Sequence, residues 1–271
     1  MKDAMTYRID HDFHIHTHLS ICSGDPGQTP EAILDHAKSA GWNTICLTDH
    51  YWDRTVPCNT VVNWWYERQN YDYIAQSLPL PQKTGIRFLF GCEADLDSDN
   101  RIGVPPSRWD DFGFMILSTT HFNHMTGPNW EDRSVDALAA HWTDRLETVL
   151  EADLPFRKMG IAHLACRLIN PTSRGAYLET LDRIPSETME RLFARAAERG
   201  IGIELNSNDM SFSDAEADTV LRMFRIAKTC GCKFYLGGDA HDRQKLKQNH
   251  EIFERAIRLL DLKESDKFRL P

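Results

Sequence analysis

Seven short apolar runs of strand character recur along this 271-residue chain, at residues 12–15, 43–47, 86–90, 112–117, 160–162, 201–203 and 233–237. Stretches with helical spacing lie between most of them, at residues 62–77, 134–152, 185–199, 213–229 and 243–260. One more opens at Thr29-Pro30-Glu31, with a hydroxyl N-cap and proline at the first helical position, and stops at Gly41. Strands alternating with helices predict βαβ units and a parallel sheet. No Pro- or Gly-rich linker interrupts the pattern, so residues 1–271 read as one α/β domain, a barrel with the active site at the C-terminal strand ends.

Each run ends on residues able to hold a metal ion. In order the ends are His14-Ile15-His16, Thr48-Asp49-His50, Gly91-Cys92-Glu93, Thr120-His121, Ala162-His163, Glu204-Leu205-Asn206 and Gly238-Asp239-Ala240-His241. A parallel barrel gathers these ends at one mouth. His14 and His16 are two apart on a strand and so point to one face, and Asp239 and His241 repeat that spacing. Asp12, two residues before His14, is placed to orient a ligand histidine. Glu93 follows a buried-type run, where an unpaired carboxylate is costly and bridging two cations would offset the cost. Imidazole and carboxylate without a thiolate cage suit zinc, manganese or iron. The candidate ligands exceed what one tetrahedral ion takes, so two or three divalent ions are expected.

A formal net charge of −9 argues against a general nucleic-acid or membrane-surface binder, while a local metal cluster still admits a phosphorylated substrate. Neither a signal-like start nor a membrane-length apolar segment is present, and the seven cysteines are odd in number and scattered. Both features predict a reduced, cytoplasmic setting.

Taken in order, these motifs resemble those of the PHP (polymerase and histidinol phosphatase) family over nearly the full chain. The resemblance implies a distorted (β/α)7 TIM-like barrel with a trinuclear metal centre. Carried over, His14, His16, Glu93 and Asp239 would hold one ion, and Glu93 would bridge to a second held by His121 and His163. His50 and His241 would hold a third, while Glu204 and Asn206 would support the site or hydrogen-bond the substrate. Histidinol-phosphatase-like members place a further histidine six residues after the second histidine of the first motif; here that position is Cys22, with His18 and Asp25 as alternatives in the same loop. The implied reaction is hydrolysis of a small phosphomonoester by a metal-bound hydroxide, with L-histidinol phosphate the leading named substrate. A nucleotide or sugar phosphate, an amidohydrolase-like C–N hydrolase and a non-catalytic PHP module are the alternatives.

Arg167, four residues past His163, and Arg243, just beyond His241, are the candidate cations for the phosphoryl oxygens. Asp49 and His18 are candidate proton donors to the leaving group. Of the aromatics of residues 63–73, Trp64 and Trp65 among them, at least half read as packing over the barrel and the others as a lid or stacking wall.

Overall fold

In the computed structural model, which describes residues 5–271, each of the seven runs forms the body of a parallel strand. The strands are β1 (His11–Ile15), β2 (Thr44–Leu47), a two-residue β3 (His50–Tyr51), β4 (Arg87–Asp95), β5 (Phe114–Ser118), β6 (Met159–Ala162), β7 (Gly202–Asn206) and β8 (Lys233–Gly237). Pairing runs β1-β2-β4-β5-β6-β7-β8, with β3 laid against β4 as a continuation of β2 beyond a break at Thr48-Asp49. A bridge between Ile15 and Ala240 joins the two edges, and Asp239 N donates to His14 O at 2.7 Å. The result is a nearly closed seven-stranded barrel of TIM-like form, distorted where the β1–β2 register shifts between Asp12 and Ile15.

That register shift lets Phe13 pack inside the barrel while His14 and His16 share the mouth. Phe13, Phe114, Ile116, Tyr235 and Phe268 fill the lower interior, with Phe268 supplied by the C-terminal tail. A Cβ at Gly160 or Gly202 would run into the Tyr235 ring, so these glycines make room for the largest residue of the plug. These buried side chains plug the lower interior, and the polar strand ends lie at the opposite mouth.

Helices α1 (Pro30–Ala40), α2 (Asn63–Tyr66), α3 (Tyr71–Ile74), α4 (Val135–Glu151), α5 (Arg174–Arg183), α6 (Ser186–Arg199), α7 (Ala217–Thr229) and α8 (Arg243–Leu259) complete the chain. α1 is capped by Thr29 Oγ1 and ends at Gly41, whose φ of 73° suits the left-handed position. The expected helix over 62–77 is instead two short helices. Gln69 breaks it, because its buried side chain accepts from Ile21 N (2.9 Å) and donates to Leu19 O (3.2 Å), and Asn70 turns extended. α5 has no counterpart in the sequence reading; its weak amphipathicity and Gly175 in the first turn hide it, although Ser173 caps it. β4 extends to Asp95, five residues past the apolar run, since its polar end lines the mouth.

Candidate metal centre

Six histidines and two acids from the strand ends converge over the plug. His14 Nε2 lies 3.1 Å from His16 Nε2, 3.4 Å from Glu93 Oε2 and 3.6 Å from Asp239 Oδ1. His16 Nε2 lies 3.4 Å from the same Glu93 oxygen and 3.3 Å from the same Asp239 oxygen. Around a tetrahedral zinc, with bonds of about 2.0–2.1 Å, ligand atoms stand about 3.3–3.4 Å apart. Five separations among these four ligand atoms thus fall at 3.1–3.6 Å, near that spacing, and the donor set of imidazoles and carboxylates fits a cation.

Two further groups adjoin the first. Glu93, His121 and His163 bring ligand atoms within 4.8 Å of one another, as do His16, Cys22, His50 and His241. Glu93 spans the groups, with Oε1 on His163 Nε2 (2.8 Å) and Oε2 toward His14, His16 and His50. His50 comes opposite Glu93 because β3 pairs with β4 in that register. Its Nδ1 is buried and lacks a hydrogen-bond partner, an orphan that a cation would satisfy.

What aims the rings is a layer of acceptors behind them. His14 Nδ1 meets Glu204 Oε1 (2.7 Å), His16 Nδ1 meets Ser20 Oγ (2.8 Å) and His121 Nδ1 meets Asp95 Oδ1 (2.7 Å). His163 Nδ1 meets Thr120 Oγ1 (2.8 Å) and His241 Nδ1 meets Asp239 O (2.9 Å). Ser20 Oγ already donates to Asp49, and Thr120 Oγ1 donates to His163 O, so both hydroxyls accept from the rings. In all five the Nδ1–H is held, so Nε2 is the nitrogen turned to the mouth and the one that can ligate an ion once it is deprotonated. His163 (φ 29°) and Asp239 (φ 48°) occupy left-handed backbone that non-glycine residues rarely adopt, a strain concentrated at the site.

The electrostatics divide the same way. Burial alone would lower the His163 pKa, but the hydrogen bond and charge of Glu93 outweigh it and raise it to about 9. His14 is likewise raised, against burial, by Glu204, Asp239 and Glu93. Burial lowers His50 to about 3 and His241 to about 4, so those rings are neutral. The Cys22 thiol is pushed up by burial of its sulfur and by Glu93 and Asp239 nearby, although the residue keeps an exposed edge.

A cavity of about 480 Å³ opens over the three groups. Arg167 lines it and makes no ion pair among the described residues. Trp65 forms one wall, its ring 5.0 Å from His50 and edge-on to His124 at 5.2 Å.

The PHP domain sequence model matches residues 12–208. The chain belongs to the PHP domain family. A curated relative from Caldicellulosiruptor saccharolyticus, named "Probable phosphatase", is 23% identical over 230 residues, covering 84% of this chain and 78% of that protein. The structure of histidinol phosphate phosphatase from Lactococcus lactis subsp. lactis Il1403, complexed with zinc, L-histidinol and phosphate, superposes with a TM-score of 0.57 at 15% identity. The match covers 96% of this chain and 98% of that one, and at this identity it shows a common fold.

Within this PHP domain several sequence expectations are corrected. Asp12 orients no imidazole; its Oδ1 accepts from His14 N and Gly238 N and ties the seam between β1 and β8, while Glu204 holds the ring. Asp49 is committed to Thr17 N, Thr17 Oγ1 and Ser20 Oγ, all within 2.7 Å, and so braces the loop after β1 instead of facing a leaving group. His18 is exposed, with its Nδ1 3.4 Å from Gln28 O, and lies outside the cavity lining. Arg243 opens α8 outward and pairs with Asp25 through two hydrogen bonds of 2.8 and 3.1 Å, which also takes Asp25 away from the ions' side. Of the aromatic segment only Trp65 lines the cavity; Trp64 is exposed, and Tyr66 is buried with its hydroxyl on Asp95.

The sequence reading missed Arg174, Tyr177 and Asp209 in the cavity wall. Arg174 is forked onto Glu216 (2.6 and 2.8 Å) and lies over the Tyr177 ring. Asp209 Oδ2 accepts from Ala165 N, and burial raises its carboxyl to about 7. Ser173-x-x-Ala176 capping could have revealed the helix that carries Arg174 and Tyr177; nothing local marks Asp209.

Among the described residues no helix is long and apolar enough to cross a membrane.

Proposed function

We propose that this PHP domain is a metal-dependent phosphoesterase that hydrolyses a small phosphomonoester, with L-histidinol phosphate the leading candidate. The observation that carries the reading is the convergence of His14, His16, Glu93 and Asp239, with five ligand-atom separations of 3.1–3.6 Å, beside two further ligand groups that contain Glu93 and His16. Divalent ions held there would supply a nucleophile at neutral pH and positive charge for the phosphoryl oxygens. Support for a phosphate ester comes from the name of the Caldicellulosiruptor relative and from the zinc, histidinol and phosphate in the Lactococcus structure.

The protein's own groups fill defined roles. Arg167, the unpaired guanidinium of the wall, binds the phosphoryl oxygens as a planar fork. Trp65 and His124 offer an aromatic face to the leaving alcohol and help keep bulk water from the cluster. Glu204, Ser20, Asp95 and Thr120 fix the rings before substrate arrives, so little reorganisation remains for the reaction. The cavity lining holds no lysine among the described residues, which leaves the carboxylated-lysine bridge of an amidohydrolase-like site without a residue.

The test is phosphate release from histidinol phosphate, nucleoside monophosphates, sugar phosphates and a dinucleotide. Turnover of at least one monoester is expected, lost on chelation and restored by zinc, manganese or iron. Protein shown to hold two metal equivalents that releases phosphate from none of them would overturn the proposal.

Metal uptake should also expel protons. At pH 7 His163 and His14 are protonated in the metal-free protein, while a cation needs their neutral forms. Apparent affinity should therefore rise with pH up to about 9, with protons released as measured by pH-stat titration. His50 and His241 are already neutral and add none. A thiolate ligand at Cys22 would add one, so Cys22→Ser should lower the count by one; an unchanged count excludes the sulfur as a ligand.

A further inference from the structure

Arg145 sits in the middle of α4 with none of its surface exposed and no carboxylate bonded to it. A buried guanidinium without a paired anion is costly, and burial brings its pKa down to about 10, which still leaves it charged. Its donors all go to loops at the barrel mouth. Nε donates to Thr119 O (2.7 Å), Nη2 to Leu96 O (2.8 Å), and Nη1 to Asp97 O (2.8 Å) and Asn100 Oδ1 (3.2 Å). The guanidinium carbon also lies 5.5 Å from the Trp130 ring centre and 5.9 Å from that of Phe122, so aromatic faces cover it.

The clamped carbonyls are direct neighbours of working residues. Leu96 and Asp97 follow Asp95, whose Oδ1 accepts from His121 Nδ1. Thr119 precedes Thr120, whose hydroxyl accepts from His163 Nδ1, and then His121 itself. One planar group thus sets the separation of the loops after β4 and β5, the two that aim His121 and His163. Asp95 Oδ1 accepts the Nδ1–H of His121 at 2.7 Å, which turns Nε2 toward the mouth.

We infer that Arg145 is a positioning residue for the Glu93–His121–His163 metal group. It clamps the β4 and β5 loops and sustains the Asp95–His121 hydrogen bond. The inference rests on reading those three residues as an ion-holding group.

The test uses the full chain, stripped of metal and titrated with zinc by calorimetry, with bound equivalents counted by elemental analysis. Arg145→Lys keeps the charge but cannot fork across three carbonyls. It should remain folded by circular dichroism and weaken one zinc equivalent by about tenfold or more, leaving the rest unchanged. Asn100→Gly removes one acceptor without emptying the core, at a residue whose φ of 60° glycine accepts. It should weaken the same equivalent by about twofold. In histidine-labelled protein, the Nδ1–H signal of His121 should be lost or shifted in R145K while that of His14 stays.

Several results would overturn the inference. R145K could bind the same number of equivalents with wild-type affinities. R145K could fail to fold while N100G binds zinc as wild type does, which would assign Arg145 to the core alone. A wild-type chain that takes up no zinc would overturn the metal reading and this inference with it.

Discussion

Glu93→Gln is expected to abolish turnover, lowering kcat/KM by about a thousandfold or more, which corresponds to about 4 kcal/mol. The side chain is buried, and its two oxygens address different groups, Oε1 on His163 and Oε2 among His14, His16 and His50. An amide keeps the shape but offers one acceptor and one donor, so one side must present N–H to a cation or to an imidazole lone pair. Elemental analysis should show at least one equivalent lost. The effect separates bridging from ring orientation. Glu204→Gln, which touches only His14 Nδ1, His163 N and Asn206, should weaken metal binding by about 10–100-fold and leave measurable turnover at saturating metal. Metal-free Glu93→Gln should melt below the metal-free parent near pH 7, since it removes the buried carboxylate that pairs with protonated His163. Equal turnover in wild type and Glu93→Gln would refute the bridging role.

The contrast shows what could be read in advance. Ligand positions were legible because strand ends carry them at fixed spacing, and the barrel brings strand ends together whatever the loops do. The pairing layer was legible only in part: the sequence reads Glu204 as support for the site, but does not show that it meets His14 across 190 residues or that Asp95 meets His121 across 26. Nothing local to His14 or His121 announces those partners. Arg243 illustrates the reverse error. It is two residues from His241 in sequence, yet as the first residue of α8 it turns away to Asp25. Arg145 looks like an ordinary helix-surface arginine beside Asp144, and only the packing of α4 against the mouth shows it to be fully enclosed. The break at Thr48-Asp49 was hidden for a related reason, because Asp49 leaves the strand to bind the loop after β1. The helix over 62–77 failed because Gln69 found better partners in the Leu19–Ile21 loop than in a continuing helix.

Metal loading should raise the melting temperature more than any single substitution changes it. Glu93, Glu204 and Asp239 have no lysine or arginine partner among the described residues, so histidines are the titratable bases that face them. Without metal, their negative charge is balanced by protons on His14 and His163, whose pKa values are raised against burial by those carboxylates. A histidine raised in the folded state adds stability that is complete below its unfolded value, near 6.5, and is lost as pH climbs through the folded value. For His163 that window runs from about 6.5 to about 9, so metal-free protein should soften across it. Divalent ions replace the protons and remove this dependence. At a free metal concentration a thousand times the dissociation constant, each site adds about 4.1 kcal/mol. For a domain of this size 1 kcal/mol moves the melting point by about 2–4 °C, so each filled site contributes about 8–16 °C. Scanning calorimetry in chelator and in zinc or manganese, at pH 6.5 and pH 9, should show the gap and its widening with pH. Coincident melting curves at both pH values would mean that no cation is held by these side chains.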